Sequence, residues 1–387
     1  MIGVGDPARA GRAMRASERE CWIALSLVPG VGPVGFAHLI RRHGSAVAAW
    51  DAGPEGLDGI GRLGSGAKDG FAALHGEDPR TIVRRLSERT AKVGGRILTG
   101  LDDEYPAMLR GLDPRPATLF VAGDGTALAE RAVAIVGTRK ASGYGLSTAT
   151  DLADELARAG MVVVSGLALG IDGAAHRAAV SAGGRTVAVL PSPLGRIYPP
   201  RHRELAREIV RTGGALVSEV AIGAPVGRPD FARRNRIIAG LSEAVVVVEA
   251  PDRSGALLTA SAAIDIGREL YAVPGQIDAQ AARGCNRLIA DKQADMVTSI
   301  AALLRQVGIR HNRKPPAVKA LSEVEGQVLR RLLERSGSIE ELVDRTHQPA
   351  ASVASALTLL EARGLVNTFG GATFHPTLGA RRLAGLV

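Results

Sequence analysis

The chain has 387 residues, 46% of them hydrophobic, so it can bury a large core and has room for two or three domains. Its 48 basic and 39 acidic residues give a net charge of +9, which suits a polyanionic partner. Two cysteines, Cys21 and Cys285, exclude a disulfide framework and a cysteine-based zinc site, and no apolar run of about 18 residues marks a membrane span. We therefore expect a soluble cytoplasmic protein without a metal site or a membrane partner.

The first 90 residues predict a small helical domain. Residues 18–75 read as short helices broken by glycine turns, with G-x-G at Gly30-Gly32 and at Gly59-Gly61, as in SAM-like or helix-hairpin-helix modules. Backbone N–H groups at such turns can hold a phosphate. Glycine-rich connectors in helical domains are more often tight turns, and we favour that interpretation here.

Residues 91–304 predict an α/β domain. Short Val/Ile/Leu-rich runs alternate with helical stretches, and the runs are ATLFV, AVAIVG, MVVVSG, TVAVL, ALVSEV, AVVVVEA and ELYAVPG. This alternation predicts a doubly wound parallel sheet of the extended Rossmann type, covered by helices on both faces. Ligands of such sheets bind at the carboxyl ends of the strands.

A basic linker and a winged helix complete the predicted organisation. Residues 276–319 hold eight basic and three acidic residues, and residues 305–320 have a linker composition with a Pro-Pro pair. Residues 321–387 read as three helices, the second capped by Ser338, and a hairpin that turns at Gly370-Gly371. The linker could follow a DNA backbone or be a solvated tether, and the tether is the commoner case.

The first candidate site is the turn in AIVGTRKASGYG. Gly137, Thr138, Arg139 and Lys140 follow a strand and precede a helix, so backbone N–H groups and two cations predict an anion site. The glycine spacing does not match a dinucleotide fingerprint, and the P-loop pattern is absent from the sequence. We therefore predict no cofactor.

The second candidate is the turn in VVSGLALGIDGAAH. Ser165 and Gly166 end a strand, and Asp172 and His176 lie four residues apart in the following helix. These two could form an acid/base pair, but we favour a helix cap and a helix-surface pair. No hydrolytic set is complete in the sequence, so we predict no catalytic residue.

The third candidate is FARRNRIIAG. Arg233, Arg234 and Arg236 stand at the start of a predicted helix, where their charges oppose the helix dipole and call for an anion. A phosphate would satisfy them, with Asn235 holding the turn or reaching a base edge. The alternative is salt bridges to Asp230 or Glu249.

These motifs together resemble the DNA-processing protein A (DprA/Smf) family. The resemblance covers roughly residues 100–300, and RNRIIAGLS is its most specific run. It implies a dimeric, non-enzymatic protein that binds single-stranded DNA, protects incoming strands during natural transformation and helps load a RecA-type recombinase. By motif matching, it places the phosphate site at Gly137, Thr138, Arg139, Ser165, Gly166, Phe231, Arg234, Asn235 and Arg236.

The chain departs from the family pattern at three places. Ala232 stands where the family has proline, and PSPLG (residues 191–195) stands where it has a glycine-rich loop ending in an acidic residue. Pro200 replaces a basic residue, a role that Arg201 could assume. Tyr144, Tyr198 and Phe231 are the candidates for base stacking.

Two other functions stay open from the sequence. The runner-up is a phosphoribohydrolase-like enzyme acting on nucleoside monophosphates, although its P-G-G-x-G-T loop is missing from the sequence. The third is a duplex-binding regulator, but the winged helix carries no net charge and its third helix has few donors for bases. We therefore predict that this domain binds protein or packs against its own chain.

Overall fold

The structure is a computed structural model that describes residues 16–309, 321–369 and 373–384. It divides into two compact units. One unit holds residues up to 122 together with 193–195 and 218–225, and the other holds residues 123–192, 196–217 and those from 226 onward. None of the helices within the described ranges is long and apolar enough to cross a membrane.

The first unit is mainly helical, as predicted. Its elements are α1 (Glu18–Ser26), α2 (Pro33–His43), α3 (Ala46–Asp51), α4 (Ala67–His75), α5 (Pro79–Ala91), β1 (Gly95–Thr99), α6 (Ala107–Arg110) and β2 (Thr118–Gly123). Trp22, Phe36 and Phe71 are buried in its core. Gly30 has a φ of 81°, and a Cβ there would lie 3.1 Å from the backbone of Ala67, so this turn is a close packing contact.

The second unit contains the predicted parallel sheet. Its strands are β3 (Ala132–Val136), β4 (Val162–Ser165), β5 (Thr186–Leu190), β6 (Ala215–Ser218), β7 (Ala244–Val247), β8 (Glu269–Ala272) and β9 (Asp295–Met296). The strand order is β6-β5-β4-β3-β7-β8-β9, and the ladders from β5 to β9 are parallel. Nearly every residue of the central strands is buried, because helices cover both faces.

The connecting helices begin at strand ends. They are α7 (Gly143–Arg158), α8 (Ile171–Ser181), α9 (Arg203–Arg211), α10 (Arg228–Arg233), α11 (Asn235–Gly240), α12 (Gly255–Asp265), α13 (Arg283–Ala290) and α14 (Ile300–Gln306). The chain runs outward from β3 through β4 and β5, then returns to place β7 on the other side of β3. The order of strands therefore reverses between β3 and β7, which is where doubly wound sheets bind ligands.

The C-terminal domain is the predicted winged helix. It consists of α15 (Glu323–Glu334), α16 (Ile339–Thr346), α17 (Ala350–Ala362), β10 (Val366–Phe369), β11 (Thr373–Pro376) and α18 (Leu378–Leu383), around a core that includes Val328, Leu342 and Leu357. Ser338 caps α16 as predicted, because its side chain accepts a hydrogen bond from the Glu341 amide. The strands β10 and β11 are antiparallel, and the predicted turn at Gly370-Gly371 lies outside the described residues.

Two sequence expectations need correction. The ATLFV run forms β2, which pairs antiparallel with β1. The linker was predicted to begin at residue 305, but α14 extends to Gln306 and Val307 is buried against the sheet domain's core. The hydrophobic residues of this segment hold it in the folded domain, although its composition resembles that of a linker. Residues 310–320 of the predicted linker lie outside the described residues.

Candidate nucleic-acid interface

The turn after β3 is fixed from both sides. A Cβ on Gly137 would lie 2.5 Å from the Ile171 side chain and 2.9 Å from the Glu249 carbonyl oxygen, so only glycine fits. The Thr138 amide donates to that same carbonyl at 2.7 Å. This arrangement leaves Arg139 and Lys140 exposed, and both line a cavity of about 390 Å³ at the carboxyl ends of the strands.

The first turn of α7 is satisfied within the protein. Glu249 accepts hydrogen bonds from the Ser142 amide (2.8 Å) and the Ser142 hydroxyl (2.6 Å), and that hydroxyl accepts from the Gly145 amide (3.0 Å). The carboxylate therefore stabilises the positive end of the helix. Glu249, considered above as a partner for the arginines of the third motif, is engaged in this cap.

The turn after β4 is held by buried ionisable side chains. Ser165, a predicted contact, is fully buried, and its hydroxyl donates to the Ile135 carbonyl at 2.6 Å. Gly166 lines a second cavity of about 130 Å³. The Gly166 and Ala168 amides donate to Asp172 at 3.1 and 3.4 Å, and the Leu167 amide donates to His176 Nε2 at 3.3 Å.

The prediction of a surface pair between Asp172 and His176 is wrong. Both side chains are buried, and Gly170 stands at the N-cap of α8. Each side chain reaches a different amide of the β4 turn instead of its neighbour on the helix. Four-residue spacing places two side chains on one helix face, but it does not say whether that face points to water or to the sheet.

Burial changes the ionisation of these groups. It lowers the pKa of His176 to about 3, an effect reinforced by the charges of His202, Arg177 and Arg234. His176 is thus a neutral ring at pH 7, with Nδ1 facing the Thr186 hydroxyl at 2.7 Å. Burial raises the pKa of Asp172, while the nearby charge of Arg234 opposes that shift.

The arginine-rich segment is not one helix start. α10 ends at Arg233 and α11 begins at Asn235, but Arg234 between them keeps a helical φ of −63° and ψ of −26°, so the arginines lie within a nearly continuous helical segment that begins at Arg228. Arg233 pairs with Asp230, which was the alternative weighed from the sequence. The sequence pattern did not show that the helical segment begins at Arg228, before these arginines.

Arg234 is buried and lines both cavities. Its guanidinium donates to the Gly166 carbonyl at 2.5 Å, to the Val189 carbonyl, and through Nε to Asn235 at 2.9 Å. Asn235 in turn donates to the Gly255 carbonyl at 3.2 Å and lines the larger cavity. Burial lowers the pKa of Arg234 to about 10, so the side chain keeps its charge at pH 7.

Aromatic side chains lie beside the cations. The Phe231 ring lines both cavities, and the Arg139 guanidinium lies 5.7 Å from its centroid. Tyr198, which is 50% exposed, meets Phe231 edge to face at 5.7 Å. A cation next to two accessible rings can hold a phosphate and offer a face to a base.

Four predicted contacts do not line these cavities, and Ser165 and Arg233, described above, are two of them. Arg201 is exposed and Arg236 is half-buried, and neither belongs to the residues that line the two cavities. The structure instead adds residues that the sequence did not single out. They are Arg228 at the start of α10 and, at the start of α12, Ser254, Leu258 and Thr259. Residues 254–260 read SGALLTA in the sequence, but this run by itself assigned the α12 residues no role.

The acidic side chains nearest the cavities are engaged within the protein. Among the described residues, no group of three or more histidine, cysteine, aspartate or glutamate side chains could hold a metal ion. The acidic groups next to the cavities, Asp172 and Glu249, are occupied by backbone amides and the α7 cap. The arrangement is therefore one of fixed donors and cations around an open cleft.

Comparison with known proteins identifies the family of the chain. The family model described as DNA recombination-mediator protein A matches residues 96–308. The chain belongs to the DNA-processing protein A family. The DprA-like N-terminal HHH domain matches residues 16–63 and the DprA winged helix domain matches residues 312–372, so the predicted family and fold class are confirmed.

Two relatives of this family member match different shares of the chain. A putative DNA processing protein DprA of Mycobacterium tuberculosis is 35% identical over 376 residues, covering 92% of this chain and 91% of its own. DprA of Bacillus subtilis is 42% identical over 187 residues, covering 48% of this chain and 63% of its own.

Two solved structures of the family are similar. DprA of Streptococcus pneumoniae has a TM-score of 0.63 and 28% identity, covering 77% of this chain and all of its own. DprA of Helicobacter pylori, described for its single-stranded DNA binding mode, has a TM-score of 0.50 and 29% identity, covering 55% of this chain and 95% of its own.

The atypical PSPLG loop of this DprA-family chain has a definite shape. The Ser192 hydroxyl donates to the Arg196 carbonyl at 2.6 Å and closes the loop. Leu194 is buried, and Pro191 lines the smaller cavity. Pro191 therefore places an apolar side chain at the cavity where the family pattern has a glycine-rich loop.

Proposed function

We propose that the chain binds single-stranded DNA in the cleft between β3 and β7. The observation that carries this proposal is the meeting of Arg139, Lys140 and Arg228 with the rings of Phe231 and Tyr198 at the edge of one cavity system. Cations bind the phosphates and the rings stack on unpaired bases, a combination suited to single strands.

The wider role follows from the family. We propose that the protein acts in the cytoplasm as a homodimer, protects incoming DNA during natural transformation and helps a RecA-type recombinase to load. The description of the matching family as a recombination mediator and the single-stranded DNA binding of the H. pylori relative support this role. A non-enzymatic mechanism is supported by the engagement of Asp172 and Glu249 in backbone hydrogen bonds.

The test is a salt series with a fluorescent oligonucleotide of about 50 nucleotides, single-stranded and duplex. We expect preference for the single strand. The double variant Arg139→Ala/Lys140→Ala should bind at least about tenfold more weakly, since hydrogen bonds to charged groups contribute roughly 1.5–3 kcal/mol each. Its salt slope should fall by about 0.7 for each phosphate that the variant no longer neutralises.

The control is Arg158→Ala. Arg158 ends α7, roughly 24 Å along the helix from its first residue, and pairs with Asp154 on the surface. The substitution removes one positive charge without changing the cleft, so the affinity for the single strand should be unchanged. Equal binding of single strand and duplex, or wild-type affinity in the Arg139/Lys140 variant, would refute the proposal. Release of free base from a nucleoside monophosphate would favour the phosphoribohydrolase-like alternative instead.

A further inference from the structure

The turn at residues 166–168 has an unusual backbone. Leu167 has a φ of 55°, in the left-handed region that side chains other than glycine rarely adopt, and yet its side chain is fully buried. Such a conformation persists only where the surrounding structure determines it completely, and it concentrates at binding sites.

Four buried side chains hold this turn through its own backbone. Asp172 accepts from the Gly166 and Ala168 amides, and Arg234 donates to the Gly166 carbonyl. His176 accepts from the Leu167 amide, and His202 Nδ1 lies 2.9 Å from the Leu167 carbonyl. The side chains come from α8, from the segment before α9 and from the junction of α10 and α11.

The hydrogen bonds also determine the protonation of both rings. His176 accepts at Nε2, so its proton is on Nδ1 and is donated to the Thr186 hydroxyl, which donates to the Val163 carbonyl at 2.5 Å. His202 faces a carbonyl at Nδ1 and must donate there. Each ring thus has one position for its proton that satisfies the hydrogen-bonding groups of the turn.

The turn matters because it forms a wall of the cleft. Gly166 and Ala168 line the smaller cavity, and Ala168 also lines the larger one. The Arg234 guanidinium packs so closely over Gly166 that a Cβ would collide with it. A shift of this backbone would move both Arg234 and the wall on which the strand is proposed to lie.

We propose that Asp172, His176, His202 and Arg234 are positioning residues that hold residues 166–168 in the DNA-ready conformation before any ligand arrives. The expected effect on DNA binding rests on the proposed function, because a turn that is ordered in advance spares the ligand the free-energy cost of ordering it. The claim that these side chains hold the turn concerns the free protein and does not depend on DNA.

The decisive variants are His202→Phe and His202→Asn in the full chain. Phenylalanine keeps a flat ring but cannot donate to the Leu167 carbonyl, whereas the asparagine amide can place a donor where Nδ1 stands. Hydrogen exchange of the free protein is measured for peptides covering residues 163–170. We expect slow exchange of the Leu167 and Ala168 amides in the wild type and in His202→Asn, and fast exchange in His202→Phe.

Affinity for the labelled single strand then tests the consequence. His202→Phe should bind about tenfold more weakly if the competent turn falls to roughly one tenth of the population, with an unchanged salt slope because no phosphate contact is removed. His202→Asn should recover the affinity. The positioning role would be overturned if His202→Phe lowered only the thermal stability and still bound the single strand with wild-type affinity at temperatures well below its melting temperature.

A milder variant keeps the test valid if His202→Phe does not fold. Thr186→Val is similar in shape, lies in β5 and removes only the hydroxyl that orients His176. It should speed exchange at Leu167 without unfolding the sheet. Slow exchange in both Thr186→Val and His202→Phe would overturn the inference, whatever the DNA result. Failure of the wild type to bind the single strand would instead refute the proposed function, and the exchange result would still decide whether these side chains hold the turn.

Discussion

A buried arginine and an exposed one contribute differently to an anion site, and Arg234 and Arg139 show the difference. Arg234 is 8% exposed and gives three of its five N–H groups to protein acceptors. Arg139 is exposed and faces an aromatic ring. Arg234 contributes mainly to the structure of the site and to its positive electrostatic potential. Arg139 keeps donors that can bind a phosphate arriving from solvent.

The neutral ring of His176 makes stability depend on pH. Its pKa is about 3 in the folded chain, against an ordinary value of 6.5, so the unfolded chain binds an extra proton between these values. Its stabilising contribution is therefore complete above pH 6.5 and decreases as the pH falls. We expect the unfolding free energy of the wild type to fall by about 1.4 kcal/mol per pH unit below pH 6.5 because of this group, and His176→Gln should not show this decrease.

The measurement is urea unfolding of both proteins from pH 7.5 to 4.5. Glutamine keeps an acceptor for the Leu167 amide and does not titrate. The difference in unfolding free energy between the two proteins therefore reports the protonation of His176 alone. A difference that stays constant over this range would contradict a buried neutral histidine.

At the scale of elements, the site depends on two turns that touch. A Cβ on Gly170 would collide with the Thr138 carbonyl oxygen and lie 2.9 Å from that of Arg139, so the start of α8 packs directly on the turn after β3. The Ile171 amide donates to the Thr138 carbonyl at 3.3 Å across the same contact. The contact couples the anion turn to the helix that carries Asp172 and His176.

Gly170→Ala tests this contact, and Gly183→Ala is its matched control. Both glycines have a φ of 74°, but no atom lies within 4 Å of a Cβ placed on Gly183, at the other end of α8. Gly183→Ala bears the backbone cost of alanine at a positive φ, about 1–2 kcal/mol. Gly170→Ala should lose roughly 2 kcal/mol more, because the ψ of Gly170 is −127°, outside the left-handed helical well, and because its Cβ would be overpacked; it should also bind DNA more weakly.

Chemical unfolding and the oligonucleotide titration provide the comparison. Similar losses of stability in the two variants would mean that the Gly170 contact relaxes without cost. Weaker DNA binding in Gly183→Ala would argue against a local effect on the anion turn.

At the scale of the whole molecule, charge is unevenly distributed along the chain. The segment 276–319 carries a net charge of +5 of the total +9, and four of its basic residues fall within 310–319. The solvated tether predicted from the sequence for this segment would assist DNA binding only through screened attraction, which fades beyond about 10 Å at 0.1 M salt.

Neutralising Arg310, Arg313, Lys314 and Lys319 with glutamine should therefore weaken single-strand binding by about threefold at low salt and not at high salt. The control replaces with glutamine four arginines that have acidic partners, the half-buried Arg80 and the exposed Arg85, Arg207 and Arg211. A loss that persists at high salt, or an equal loss in the control, would contradict the role of a solvated tether.

Local patterns in the sequence were sufficient for the architecture. Val/Ile runs predicted the strands β3 to β8, and Ser338 predicted the start of α16, because burial period and capping are properties of neighbouring residues. Gly137 and Arg139 were predicted for the same reason, as a turn between a strand and a helix. The partner of each strand was not predictable in this way, and β2 pairs antiparallel with β1.

The sequence by itself determined the family, the parallel sheet, the three-part organisation and the G-T-R turn. Tertiary structure alone decided that Arg234 is buried, that Arg233 pairs with Asp230, that Asp172 and His176 support the β4 turn, and that Arg228 reaches the cleft. The reason is physical. Sequence spacing sets which side chains share a helix face, but burial and partners depend on segments brought together from distant parts of the chain.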